Sequence, residues 1–209
     1  MFTFLVSWFS PVIVFIDTIG QSLVRLAVIT IPPSVATPFF LVIGIAGHPL
    51  TITAVLCIVC LVEILRHRDG VAVFYIAAVS VTWLTVRLLK YLIGRGRPQL
   101  VDSFLIFANG SSFPSGHTAM ATVIYGYVIW LLYKKSMAEK GRRVNKRWNS
   151  ARFVLAMLLG ALIILIGFSR IYEGVHWLSD VLAGWCTGAA ITATVILISR
   201  ARENSREAI

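Results

Sequence analysis

The stretch SSFPSGHTAMATVIYGYVIWLLY, Ser111–Tyr133, places two helix-breaking residues, several hydroxyls and an imidazole directly before a long apolar run. Proline and glycine interrupt helices, whereas the run from Thr118 approaches the roughly 20 apolar residues that a helix needs to cross a membrane. If a helix begins at Pro114 and Ser115, its first backbone N–H groups have no intrahelical acceptor. The stretch therefore predicts a membrane-spanning helix whose polar start can bind an anion.

The composition extends this interpretation to the whole chain. Of the 209 residues, 58% are hydrophobic and only 13% are charged, whereas about 25% are charged in an average soluble domain. The mean hydropathy is +0.85. We predict an all-α, polytopic membrane protein, with a bundle of six transmembrane helices. The predicted spans are Phe2–Ile19, Pro49–Leu65, Val71–Leu89, Thr118–Tyr133, Phe153–Phe168 and Trp177–Ser199.

The region between the first two spans has a different pattern. Asp17 shortens the first apolar run, and Pro32, Pro33 and Pro38 interrupt the apolar segment that follows. Because proline disrupts helices, we predict an interfacial or re-entrant segment here rather than another span. No repeat, low-complexity tract or long linker divides the sequence, which predicts a single domain over residues 1–209.

Basic residues predict the orientation of the bundle, because short cytoplasmic loops are enriched in Lys and Arg. The loop Lys134–Arg152 contains eight of them and one Glu. Five more follow the second and the last spans: Arg66, Arg68, Arg200, Arg202 and Arg206. In a six-span topology these 13 of the 19 basic residues share one side. We predict that this side and the C-terminus are cytoplasmic, and that the protein lies in the cytoplasmic membrane.

The distribution of basic residues also predicts what the protein binds. Topology and attraction to anionic lipid headgroups account for the net charge of +10, so we expect membrane lipids and no nucleic acid. The three cysteines lie within predicted spans, so we expect neither a disulfide nor a metal site. The pattern leaves the oligomeric state open.

Six basic residues remain, and five of them lie at the outer end of a predicted span. They are Arg25, Arg87, Lys90, Arg95, Arg97 and Arg170. A charge within the membrane costs about 2.5–3.5 kcal/mol on insertion scales, so several together indicate a buried partner or an aqueous anion site. In KYLIGRGRP, Lys90 and Arg97 lie about two turns apart, on one face of a continuing helix. Arg87 and Arg95 fit snorkelling to lipid headgroups at least as well as a role in a site.

A third segment, SRIYEGVHWLSDVLAG, contains an imidazole and a carboxylate at helical spacing. His176 and Asp180 are four residues apart, so on a helix the carboxylate can hydrogen-bond the imidazole and orient it. Arg170 offers a planar fork of donors suited to phosphate. The six-span topology places this segment and the two described above on the outer face. We therefore predict a phosphoryl-transfer site there, with no obvious set of metal ligands.

The three segments resemble the signatures of the type 2 phosphatidic acid phosphatase family. KYLIGRGRP matches Lys, six residues, Arg-Pro; PSGH matches the second signature; SRIYEGVHWLSD matches Ser-Arg, five residues, His, three residues, Asp. The resemblance covers roughly Pro49–Ser199. It implies a metal-independent phosphatase with a core of six transmembrane helices, which needs no cofactor and acts on lipid phosphates at the outer leaflet.

The same resemblance implies a role for each matching residue. His176 is expected to be the nucleophile that takes the phosphoryl group, Asp180 to orient it, and His117 to protonate the leaving oxygen. The expected phosphate-binding residues are Lys90, Arg97, Ser115, Gly116, Ser169 and Arg170. Water would then hydrolyse the phosphohistidine. The expected substrates are undecaprenyl pyrophosphate, phosphatidylglycerophosphate or phosphatidic acid, and the sequence leaves the choice among them open.

Two other functions could use the same cations. A lipid transporter or flippase would bind the lipid phosphate without hydrolysing it, but transporters typically have duplicated halves and helices interrupted near the midplane. The sequence shows neither feature clearly. A non-catalytic lipid-binding protein has no need for both histidines.

Two further features lie near the predicted site. Glu173 falls among the cations of the third segment, and we expect it to face solvent. The stretch GWCTG, Gly184–Gly188, has small residues four positions apart and predicts close helix packing.

Overall fold

The computed structural model describes residues 2–67, 69–98, 110–138 and 146–207. Within these ranges the chain forms seven helices and no strand. They are α1 (Phe2–Thr30), α2 (Pro33–Ala46), α3 (Pro49–Leu65), α4 (Asp69–Ile93), α5 (Gly116–Ala138), α6 (Lys146–Tyr172) and α7 (Leu178–Glu207). The prediction of an all-α protein is confirmed for this part of the chain.

Helix α5 lies inside the bundle, where it packs against α4, α6 and α7. Tyr75 of α4 stacks on Tyr127 of α5, with 4.8 Å between the ring centroids. The Tyr75 hydroxyl donates a 3.0 Å hydrogen bond to the Ile124 carbonyl, so this buried polar group is satisfied. Large apolar side chains of α1, α3, α4 and α6 are exposed on the outside of the bundle. Such a surface suits helices that contact lipid.

Four helices in the described part of the chain are long and apolar enough to cross a membrane. They are Ser10–Thr30, Gly70–Ile93, Ser150–Tyr172 and Leu178–Arg202. The pair α2 and α3, bent by 44°, makes a fifth if it is counted as one span. Helix α5 is 23 residues long but less apolar, and its neighbours shield it from lipid. The chain is therefore a multi-pass membrane protein, and the count of six spans stays a prediction.

The first helix is longer than predicted, because α1 continues past Ile19 to Thr30. We expected Asp17 to shorten this span, but the residue is only 5% exposed. Its carboxylate pairs with Arg95 and accepts hydrogen bonds from the backbone N–H and the hydroxyl of Ser179, each within 3.0 Å. The charge is neutralised inside the protein and does not interrupt the helix.

The proline-containing segment forms a regular helix, α2. Pro32 precedes it and Pro33 occupies its first position, where the missing backbone N–H is tolerated. Pro38 lies in the second turn. The chain bends after Ala46 and continues into α3. The predicted interfacial segment is therefore a short helix set at an angle to the next one.

The predicted cytoplasmic loop is largely helical at both ends. Helix α5 extends to Ala138 and α6 begins at Lys146, since Lys, Ala, Met and Arg favour helices. Residues 139–145 of the predicted loop lie outside the described residues.

Two glycines of α7 permit its close contact with α5. A Cβ at Gly188 would lie 2.6 Å from both the Ala119 carbonyl oxygen and the Thr122 Cβ. A Cβ at Gly184 would lie 2.8 Å from the Ser115 carbonyl oxygen. The predicted close packing is confirmed, and it is intramolecular.

Gly188→Ala is expected to destabilise the bundle, because the added methyl group must push α7 away from α5. We expect a loss of about 1–3 kcal/mol, as for other overpacked positions, measured as a lower thermal unfolding midpoint in detergent. Gly160→Ala in α6 is the matched control, since nothing lies within 4 Å of a Cβ there and both substitutions gain the same helix propensity. Equal midpoints for the two variants would contradict the close packing.

Candidate active site

The three predicted segments meet at one end of the bundle. The Ser112 N–H donates to the Arg95 carbonyl at 2.8 Å, and the Ser115 N–H donates to the Asp180 carbonyl at 3.0 Å. These bonds join the chain after α4, the start of α5 and the start of α7. Most of the predicted site residues are at most 5% exposed: Ser115, Ser169, Arg170, His176 and Asp180. Burying so many polar groups is costly unless each is paired or serves a ligand.

Lys90 and Arg97 come together although they do not share a helix. Helix α4 ends at Ile93, and Gly94 follows with φ +61°, a left-handed conformation that glycine adopts without strain. Lys90 Nζ and Arg97 Nη2 both donate to the Ser111 carbonyl, at 2.6 and 3.5 Å. The prediction that the two cations lie on one helical face is wrong, yet the turn brings both to the same carbonyl oxygen.

Arg97 also links this turn to the segment that carries His176. Its Nη1 donates to the Val175 carbonyl at 2.7 Å, and its Nε donates to the Gly110 carbonyl at 3.1 Å. The guanidinium is thereby held between the end of α4 and the turn between α6 and α7.

The start of α5 has the form of an anion site. The Ser115 hydroxyl accepts a 2.8 Å hydrogen bond from Thr118 Oγ1 and retains its own proton for a ligand. Because the Ser115 N–H bonds to Asp180, the N–H groups without an intrahelical acceptor begin at Gly116. A Cβ at Gly116 would meet only Val86, at 3.5 Å. The backbone there is open enough for an oxyanion to approach.

His117 lies in the first turn of α5, near three other residues of the predicted site. It is close enough to Arg170, His176 and Lys90 for their charges to act on it. Its ring centroid lies 6.5 Å from that of His48, the residue that caps α3. His117 is half-buried, so a ligand can reach it.

His176 and Asp180 face each other, but they do not share a helix as their spacing predicted, because α7 begins at Leu178. Nδ1 of His176 lies 3.5 Å from Oδ2 of Asp180, which is long for a hydrogen bond. The same oxygen accepts a 3.0 Å bond from the Trp177 backbone N–H. Burial lowers the pKa of His176, although the Asp180 carboxylate opposes this effect. The imidazole is therefore neutral at neutral pH, which is the state that a nucleophile requires.

The snorkelling interpretation of Arg95 is wrong. Its side chain is 23% exposed and lies between two buried carboxylates. Nη1 donates to Asp180 Oδ1 at 2.7 Å and to Ser179 Oγ at 2.6 Å, while Nη2 pairs with Asp17. The guanidinium also lies over the Trp177 ring, 5.4 Å from its centroid. Arg95 thus ties α1 to the carboxylate that faces His176.

Arg170 is held by two neighbours in sequence. Its Nε donates to the Ser169 hydroxyl at 3.2 Å, and that hydroxyl donates to the Ile166 carbonyl at 2.8 Å. Its Nη2 pairs with Glu173 Oε1 at 2.5 Å. The Glu173 side chain is 4% exposed, so the expectation that it faces solvent is wrong. The buried guanidinium holds the carboxylate inside the protein.

Sequence reasoning missed Asp17 and Arg95 as parts of the site. The available signal was the charge of Asp17, because a carboxylate within an apolar run requires a partner. Its partner lies 78 residues further along the chain, and no local spacing indicates that distance.

Two hollows adjoin the site on the side of α1. A cavity of about 60 Å³ reaches His176 and has Gln21 and Arg25 in its wall. A groove of about 270 Å³ between α1, α2 and α6 is lined mainly by apolar and aromatic side chains. Val24 and Ile171 line both hollows. The apolar groove therefore adjoins the cavity beside His176.

These features define a class of protein: a multi-pass helical membrane protein with cations, two histidines and a helix N-terminus gathered at one end. The family model described as the PAP2 superfamily matches residues 70–204, which is well over half of the chain. That match includes all three segments. The chain belongs to the PAP2 superfamily.

This chain is similar to several curated proteins and to more than one solved structure. Phosphatidylglycerophosphatase B of Bacillus subtilis (strain 168) is 31% identical over 103 residues, 49% of this chain and 45% of the relative. Undecaprenyl-diphosphatase of Sulfolobus acidocaldarius is 32% identical over 81 residues, 39% of this chain and 30% of the relative. The chain thus spans less than half the length of either relative.

One of the similar solved structures shows the same fold. It is the crystal structure of a transmembrane PAP2 type phosphatidylglycerolphosphate phosphatase from Bacillus subtilis, with a TM-score of 0.73 and 21% identity. The match covers 88% of this chain and 86% of that one.

Proposed function

We propose that the chain is a single-domain lipid phosphatase, which hydrolyses a membrane lipid phosphate or diphosphate through a phosphohistidine intermediate without a metal or other cofactor. The observation that carries this proposal is the convergence of Lys90, Arg97, Arg170, His117 and His176 at one end of the bundle. Membership of the PAP2 superfamily supports it, as do the names of the curated relatives, which describe lipid phosphatases.

The two histidines divide the chemistry between them. Nε2 of His176 attacks the phosphorus, and a P–N bond forms as the bond from phosphorus to the leaving oxygen breaks. His117 donates a proton to that oxygen, so the lipid leaves as an alcohol or, from a diphosphate, as a monophosphate. Water then attacks the phosphohistidine and gives a proton to His117. Inorganic phosphate is released and both imidazoles return to their initial states.

The cations stabilise the transferred phosphoryl group. Phosphoryl transfer spreads negative charge over three equatorial oxygens, so positioned positive groups supply most of the catalysis. Lys90, Arg97 and Arg170 are those groups, together with the N–H groups from Gly116 onward. The Ser115 hydroxyl can donate to the phosphate. Ser169 contributes by holding Arg170, because its hydroxyl accepts from Nε and gives its own proton to the Ile166 carbonyl.

The hollows beside α1 favour a lipid over a soluble phosphate. A hydrocarbon chain can lie in the apolar groove, which adjoins the cavity that His176 lines. The candidate substrates are phosphatidylglycerophosphate, undecaprenyl pyrophosphate and phosphatidic acid. The first two are the kinds of lipid that the relatives' names describe.

We infer that this chemistry occurs on the outer face of the cytoplasmic membrane. We count six spans, α1 and α3 to α7, with α2 as the interfacial segment. The site then lies at the periplasmic or cell-exterior end, and the C-terminus lies in the cytoplasm. The distribution of basic residues supports this orientation, because Arg66, Arg200 and Arg202 lie at the opposite ends of their helices.

Phosphate release from a panel of lipids tests the proposal. Purified protein in detergent is supplied with phosphatidylglycerophosphate, undecaprenyl pyrophosphate, phosphatidic acid and lipid A, and free phosphate is measured with His176→Asn as the blank. We expect release from at least one lipid, unchanged by EDTA, since no step uses a metal.

Two outcomes would contradict the proposal. Release that EDTA abolishes would overturn metal independence. Transbilayer movement of a labelled lipid phosphate in vesicles, without phosphate release from any lipid of the panel, would favour a transporter.

A further inference from the structure

The buried ion pair of Arg170 and Glu173 is unusual for a phosphate site. Arg170 Nη2 lies 2.5 Å from Glu173 Oε1, and both side chains are at most 6% exposed. The other carboxylate oxygen, Oε2, is buried and has no hydrogen-bond partner among the described residues. A carboxylate with one unsatisfied buried oxygen is a costly partner for a guanidinium.

Helix α2 confines this pair. A Cβ at Gly44 would overlap Nη2 of Arg170 and would lie 2.8 Å from Oε1 of Glu173. The helix backbone therefore lies directly against the two charged groups. Because the guanidinium has little room to move, a phosphate oxygen that needs Nη2 must compete with Glu173 for it.

Few other charges surround the pair. Helix α2 carries no titratable side chain from Pro33 to Ala46. The groups near Arg170 are His117 at the start of α5 and, beside it, His48 at the start of α3. Burial raises the pKa of Glu173 to about 7, although Arg170 opposes this rise. The carboxylate can therefore gain or lose its proton near neutral pH.

We infer that Glu173 occupies Arg170 in the absence of substrate and releases it, by taking up a proton from solvent, when the substrate phosphate binds. This inference rests on the proposed function and assigns Glu173 a positioning role that acts through Arg170. When inorganic phosphate leaves, the carboxylate loses the proton and pairs with Arg170 again, which assists product release. If the Arg170–Glu173 pair stayed closed when the substrate binds, substrate binding would take up no proton at Glu173.

The direction in which KM changes with pH follows from the coupling between proton uptake and substrate binding. Above about pH 7 the carboxylate is ionised and holds Arg170, so substrate binding must include protonation and KM rises with pH. Below that value the carboxylate is protonated before the substrate arrives, and this contribution to KM disappears. The substrate phosphate also titrates in this range, but it is the same for wild type and variant.

The test compares the KM of wild type and Glu173→Gln between pH 6 and 8.5, with short-chain phosphatidic acid as the substrate. We expect the ratio of wild-type to variant KM, set to one at pH 6, to rise by about 10–30-fold at pH 8.5 if one proton is taken up. Glu63→Gln is the matched control. Glu63 is also a buried carboxylate paired with an arginine three residues on, Arg66, at 3.1 Å, but at the other end of the bundle.

A constant ratio across the pH range, in protein that still releases phosphate, would overturn this role for Glu173 and leave the proposed function intact. Glu173→Met, an apolar side chain of the same length, repeats the comparison if the Gln variant does not fold. A second measurement needs no turnover. Calorimetry with inorganic phosphate at pH 8, in buffers of different ionisation enthalpy, should show about one proton fewer taken up by the variant. Equal proton uptake would contradict the inference.

Discussion

His176→Asn is expected to reduce phosphate release by about 10⁴-fold or more, because removal of a nucleophile eliminates the covalent path. Asn is smaller than His but carries a polar amide, so Asp180 keeps a polar neighbour in the buried pocket. The effect is measured as kcat in detergent with the best lipid of the panel, at protein concentrations that detect the residual rate. The unfolding midpoint should change little.

His67→Asn is the matched control for this substitution. His67 is exposed, follows α3 at the opposite end of the bundle, and has φ +56°, a left-handed conformation that Asn tolerates. We expect wild-type kcat from this variant. If His176→Asn retains a kcat within tenfold of wild type, His176 is not the nucleophile.

Arg95→Met is expected to damage both stability and activity. It leaves Asp17 and Asp180 without their shared cation, and loss of one partner from a buried ion pair costs several kcal/mol. Because Arg95 is 23% exposed, we expect about 2–3 kcal/mol, at the lower end of that range. We also expect kcat to fall by about 10²-fold or more, since Asp180 then orients His176 less well. Thermal unfolding in detergent and phosphate release measure the two effects.

Arg87→Met is the control that the chain offers, because Arg87 is exposed on α4 and its guanidinium lies 5.2 Å from the Trp83 ring centroid. It should leave both quantities near the wild-type values. The double variant Asp17→Asn, Arg95→Met should be more stable than the sum of the two single changes predicts, because it removes one orphaned charge. Equal unfolding midpoints for Arg95→Met and Arg87→Met would show that the Arg95 network does not stabilise the bundle.

The position of the site could be predicted in part from the sequence, because some of its relations are local. Gly116 follows the proline that precedes α5, and its place depends only on the unpaired N–H groups of a helix start. His176 and Asp180 are only four residues apart, so they come close although His176 precedes α7. The apolar runs likewise predicted where α3, α4, α6 and α7 lie. The catalytic roles of His176, His117 and Asp180 stay predictions.

Three of the errors share one cause, because each charge was judged by its local surroundings. Arg95 was assigned to lipid headgroups and Glu173 to solvent, and Asp17 was expected to shorten its apolar run. In the folded chain each one meets an opposite charge, and Arg95 and Asp17 are 78 residues apart. Ion pairs of this kind depend on which helix ends come together, and periodicity along one segment carries no such information.

The amino-acid sequence by itself determined that this chain is a helical membrane protein and which residues are candidates for binding a phosphoryl group, because hydrophobicity, helix period and side-chain chemistry are local properties. Only the tertiary structure decided that Arg95 joins α1 to Asp180 and that Glu173 pairs with Arg170 beneath Gly44. The physical reason is that a charge buried away from water must find its partner in space, wherever in the chain that partner occurs.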